Sequence, residues 1–160
     1  MNLPAQLAQH FRAVHYGGNW TAVDLKTTLA DVTWQQATTG LGTVNTIALL
    51  VFHLNYYVSG VLPVFRGGTL EIKDKYSFDL PPIQSEIGWE RLLDKTWSDA
   101  DDLANLIEQL PEERLWEVFT DEKYGNYYRN ICGMIEHHHY HLGQMVVIKK
   151  MLPPTARSGV

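Results

Sequence analysis

His137 and His141 stand four residues apart in the run Glu136-His137-His138-His139-Tyr140-His141-Leu142-Gly143-Gln144, and His53 stands alone in the most apolar stretch of the chain. On a helix, a spacing of four stacks two imidazoles on one face, where both can reach a single metal ion. Spacing alone serves a solvated or hydrogen-bonded pair equally well. His53 shifts the balance, because an imidazole buried among apolar side chains needs a polar partner. Taken singly it is a core histidine; taken with His137 and His141 it completes a three-histidine metal site.

Three protein ligands leave coordination positions open, so water or a thiolate can join the ion, as at a catalytic metal. A metalloprotease HExxH would need Glu directly after the first histidine, and His138 stands there. No cysteine accompanies the histidines, which excludes a structural zinc finger. At about 100° per residue, Asn130, Met134, His137, His141, Gln144 and Ile148 share one side of a helix. His139 falls opposite and His138 near the boundary. Asn130 and Gln144 are candidates either to orient an imidazole or to pack against a neighbouring helix. Tyr57 and Tyr140 are read first as packing residues and second as proton donors, and His10 and His15 as solvent-facing or cavity-rim residues. No residue is marked out as a general acid or base.

The elements that must carry these residues are helical. Pro4 to about Tyr16 shows helical spacing and stops at Gly17-Gly18. A short amphipathic piece follows through Leu25, Leu29 and Val32, then a loop over Thr38 to Gly42. Asn45 is the expected cap of a long apolar helix reaching about Phe65, kinked or ended by Pro63. Periodicity disappears from Thr69 to Gln84, a stretch that serves as a lid or as a plain crossover. Ser85 caps a third helix ending at Leu110-Pro111, and Trp116, Val118 and Phe119 form an apolar connector. Tyr124-Gly125-Asn126 opens the last helix, running to about Met151. Its second apolar line, Ile131, Ile135, Leu142 and Val146, suits internal packing or a dimer face.

The 160 residues are 45% hydrophobic and 19% charged, an ordinary globular balance for one domain. A net charge of −5 offers no basic footprint for nucleic acid. Cys132 is the single cysteine, so no internal disulfide forms and a reducing compartment is expected. No signal-peptide pattern opens the sequence, and the run Ile47 to Leu54 is too short for a membrane span. The expectation is a cytoplasmic all-α helical bundle with no membrane or nucleic-acid partner.

With His53 on the second long helix and His137-x-x-x-His141-x-Gly143-Gln144 on the last, the chain resembles the DinB-like family. These are four-helix proteins related to bacillithiol- and mycothiol-dependent transferases. The similarity extends over most of the chain, including Trp20 with the amphipathic segment after it and Tyr127-Tyr128-Arg129. Leu142 departs from the pattern, since many members carry a basic residue there; it is not a ligand position. The resemblance implies an up-down-down-up four-helix bundle over residues 1–152, with the long crossover after helix two and a tail over 153–160. It implies a divalent metal (zinc, nickel or iron) on His53, His137 and His141, and homodimers. It also implies a small-molecule substrate and transfer or isomerisation chemistry using a low-molecular-weight thiol. The competing expectation is a metal-binding or stress-related bundle without turnover, and a third is a bundle whose histidines only pack.

Overall fold

Each α-helix begins where a short polar side chain takes up an amide that the helix cannot satisfy itself. In the computed structural model, which describes residues 1–153, Asn2 accepts from the Ala5 amide and starts α1 (Leu3–Tyr16), with Pro4 in its first turn. Gly17, at φ 102°, ends it in a conformation that favours glycine. Asp24 caps α2 (Leu25–Leu29), and Thr33 with Gln36 forms a capping box on α3 (Trp34–Thr38). Thr46 caps α4 (Ile47–Phe65), Ser85 caps α5 (Glu86–Glu108) and Asn126 caps α6 (Tyr127–Met151). The protein is all-α, with no strand among the described residues.

Several boundaries differ from the sequence expectation. The cap of α4 is Thr46, one residue beyond Asn45. Pro63 sits inside α4, near enough to its end that one missing amide costs a single hydrogen bond. The residues before Thr38 form α3 rather than leading directly into a loop. In the connector only Phe119 is buried; Trp116 and Val118 face solvent. Of the expected tail, residues 154–160 lie outside the described residues. The apolar run continues beyond Leu54: α4 is long and apolar enough to cross a membrane by length and composition, with mean hydropathy 1.6. Of that window 61% is buried inside the protein, which is also the pattern of a core helix.

α1 and α4 each pack on both α5 and α6. The apolar interior falls into two clusters. One gathers Phe11, Val58, Leu103, Ile107 and Ile131, the other Val14, Leu50, Leu54, Trp89 and Met145. All four long helices contribute to both. Each long helix also buries a polar residue near where it passes from one cluster to the other: His15 on α1, Asn55 on α4, Thr96 on α5 and His138 on α6. Three of these bond back to their own helix, His15 to the Phe11 carbonyl, Thr96 to Leu92 and His138 to Met134. Asn55 donates to Asp99 Oδ2 at 3.0 Å.

The chain between α4 and α5 is tied to one face of α4. Tyr56 Oη donates to the Lys73 carbonyl at 2.8 Å and accepts from the Lys73 amide at 3.0 Å. Tyr57 Oη donates to Asp74 Oδ1 at 3.2 Å. Gly60 admits Ile72 against the helix, since a Cβ there would lie 2.3 Å from Ile72 Cγ2. Residues 53, 56, 57 and 60 follow the i, i+3, i+4, i+7 rule for one helical face.

Candidate metal centre

α4 delivers His53 and α6 delivers His137 and His141 to a common point, each offering one ring nitrogen within 4.8 Å of the others. Among the described residues this is the one such group of His, Cys, Asp or Glu side chains. The three rings lie edge-to-face, with centroids 4.9 Å apart for His53–His137 and His53–His141, and 4.6 Å for His137–His141.

The protonation of two of these rings is set by their other nitrogen. His53 Nδ1–H donates to the Ser77 carbonyl at 3.3 Å, and His141 Nδ1–H donates to Gln144 Oε1 at 2.6 Å. Both therefore present an Nε2 lone pair. His53 Nε2 lies 3.0 Å from His137 Nε2, a contact that needs a proton or a cation between the two nitrogens. Burial, then the neighbouring His141 and His53, pushes His137 down to about 4. His53 is lowered by burial and by His141, and His141 by burial against the opposing pull of Gln144. All three are neutral near pH 7, the form in which imidazole binds a metal. Nitrogen ligands about 2.0–2.1 Å from a tetrahedral ion lie roughly 3.3 Å from one another. The 3.0 Å His53–His137 separation and the 4.8 Å outer limit of the group bracket that distance, so the donor set fits a divalent cation.

The crossover supplies a wall that its aperiodic sequence did not announce. Phe78 stacks on His53 at 4.0 Å between centroids and 9° between planes, directly after the Ser77 that anchors the same ring. Tyr57 sits edge-on to His53 and His137, at 5.2 and 5.4 Å. Burial first, with Asp74 contributing, raises its hydroxyl above the ordinary tyrosine range and keeps it a donor.

The other expected residues divide. Gln144 orients an imidazole as one of its two readings required. Asn130 does not; its amide serves the carbonyls of Tyr124 and Asn126 at the start of α6. Tyr140 is 65% exposed and flanks His141 from outside. His15 is not at a rim: it is fully buried, as is His138, and their rings meet at 4.7 Å. His138 packs inward because helix α1 covers it, a neighbour that the helical wheel of α6 alone does not contain. His10 and His139 face each other at 6.3 Å near the surface. Ile131, Ile135 and Leu142 are buried in the core and Val146 is packed against it, so this line serves internal packing. Comparison with family models, curated proteins and solved structures finds no match to this chain.

Proposed function

We propose that this chain is a divalent-metal-dependent enzyme of the DinB-like kind. In this reading His53, His137 and His141 hold the ion, and a small thiol or water is activated to attack a small-molecule electrophile. The observation that carries the proposal is the convergence of three neutral imidazoles from two helices, two of them held by separate acceptors, Ser77 and Gln144. Those acceptors take up Nδ1 of each ring, which leaves Nε2 as the nitrogen facing the other two imidazoles.

A bound divalent ion supplies charge that favours thiolate over thiol or hydroxide over water. The chain's own residues do the rest. Ser77 and Gln144 aim Nε2 of two ligands inward. Phe78 covers the outer face of His53 and limits water there. Tyr57, protonated and held by Asp74, offers a hydroxyl beside the triad.

The up-down-down-up arrangement belongs to the same proposal. Its support is the order in which each helix meets the two clusters. α1 passes from the Leu7 cluster to the Val14 cluster and α6 from Ile131 to Ile148; α4 and α5 pass the other way, Ile47 to Val61 and Trp89 to Ile107. A cytoplasmic homodimer completes the reading, with the exposed Tyr140, Val147 and Met151 on α6 as its apolar face; sedimentation velocity tests the dimer.

Metal analysis of protein purified without a histidine tag gives the first test. We expect about one divalent ion per chain, lost in His53→Ala and His137→Ala and kept in His139→Ala. Unchanged metal content in the first two variants removes the site. Bacillithiol, mycothiol, glutathione or cysteine with monochlorobimane then tests turnover. Metal-dependent acceleration with one of them is the expected result, and none with any would leave a metal-binding protein without this activity.

A further inference from the structure

A cavity of about 430 Å³ opens from His137 along α6 and is walled by Val61, Leu70, Ile72, Phe119 and Met134. That size lies in the range of small-molecule sites. Arg129, Gly133 and His137 all line it and are spaced by four. They therefore lie on one face of α6, over roughly 12 Å of helix axis at about 1.5 Å per residue. The far end from His137 carries Lys123 and Arg129.

Two features of this space bear on what it could hold. Gly133 stands in mid-helix, where glycine is unfavourable relative to alanine, yet a Cβ there would meet nothing within 4 Å. No neighbour requires the glycine; the effect of its missing side chain is to keep the cavity open. Arg129, at the exposed end, makes no ion pair with the described residues. Lys123 pairs with Asp121 at 3.5 Å and lies over the Tyr124 ring at 4.8 Å, so Arg129 is the cation left for a ligand. Asp74 also borders the cavity, and the Tyr57 hydroxyl donates to it.

We propose that the cavity binds a carboxylate on an apolar body. The Arg129 guanidinium takes the carboxylate, with Lys123 beside it; the body lies over Gly133; the opposite end of the molecule rests against His137. A planar guanidinium with free donors is matched to a carboxylate in geometry and charge. The inference rests on the metal-enzyme reading for which end of the ligand reacts, but the subsite is defined by residues outside the triad.

The test is calorimetric titration of the full chain with 4-phenylbutyrate and with its neutral counterpart 4-phenylbutan-1-ol, at low ionic strength, before and after chelation of metal. The acid is expected to bind at least about tenfold tighter than the alcohol in both metal states. Arg129→Gln should remove that preference and leave the alcohol's affinity as it was. Gly133→Leu should weaken both compounds about tenfold or more, and Gly133→Ala, the milder filling, should weaken both less. Circular dichroism melts confirm that each variant is folded. Equal binding of acid and alcohol, no binding of either, or a preference that survives in the Arg129→Gln, Lys123→Gln double variant overturns the proposal. So does a preference that vanishes on chelation, because the carboxylate then sits on the metal. Protein found to lack metal yet keeping the Arg129-dependent preference supports the subsite while removing the proposed reaction.

Discussion

A neutral imidazole has one lone pair, and whatever its other nitrogen touches decides where that pair points. His141 depends on a side chain three residues along its own helix, so Gln144→Leu is a sharp test of the site. Removal of Oε1 frees the His141 ring to turn or change tautomer. Metal affinity should fall roughly 10–100-fold with the fold intact; competition against a chelating dye measures it, and an unchanged affinity would show that Gln144 has no part in the site. Much at this scale was legible in sequence. His137 and His141 are aligned by helix geometry alone, and Gln144 falls on the same face. His53 was legible because a polar ring in an apolar helix demands a reason. His15 and His138 were not, because each satisfies Nδ1 on a carbonyl four residues back in its own helix. A histidine that bonds to its own backbone can be buried without any partner that a sequence pattern would show.

Among the elements, α4 has two duties that its uniformly apolar sequence conceals. Ile47, Leu50, Val51, Leu54, Val58, Val61, Leu62 and Val64 join the core, while the face through His53, Tyr56, Tyr57 and Gly60 receives the crossover. The contact at Gly60 is tight enough to make a prediction. In Gly60→Val the new side chain displaces Ile72, and the hydrogen bonds at Lys73, Asp74 and Ser77 loosen with it. Replacing glycine inside a helix is otherwise neutral to favourable. The expected outcome is a folded protein with faster amide exchange over residues 72–78 and weaker metal binding; exchange unchanged in that segment would mean that the crossover is held by other contacts. Helix ends were legible where one capping residue stood alone, as at Ser85 and Asn126. They slipped by one where Asn45 and Thr46 compete, both chemically suited to the role. The path of the crossover was illegible for a different reason. It has no period, and Phe78 meets His53 only through tertiary placement.

Across the whole molecule, the interior is two apolar clusters with a buried polar group on each long helix near their junction, and this level links stability to pH. All-α was legible from periodicity; the burial of His15, Asn55, Thr96 and His138 was not, because they sit on separate helices and are enclosed only on packing. His15 Nε2 and Asn55 Oδ1 in this level have no hydrogen-bond partner. Burial pushes His15 from 6.5 down to about 4, against the weaker opposing effects of the Phe11 carbonyl and Asp101. His138 is lowered in the same direction, first by burial and next by His15. Between pH 6.5 and about 4 the unfolded chain binds a proton at His15 that the folded chain refuses, so folding stability must fall as pH falls through this window. Above 6.5 His15 contributes its full stability, and below about 4 no more is lost from it. At about 1.4 kcal/mol per pH decade, the loss from His15 is roughly 3 kcal/mol, a large share of the stability of a domain this size. Replacing the ring by an apolar side chain removes that proton linkage while leaving the triad's own acid response in place. Urea unfolding of wild type and His15→Leu at pH 7 and pH 4, both without metal, isolates it. The drop in stability between the two pH values should be smaller in His15→Leu by an amount approaching roughly 3 kcal/mol. Equal drops would mean that His15 takes up its proton in the folded state, with water or a rearranged partner reaching Nε2.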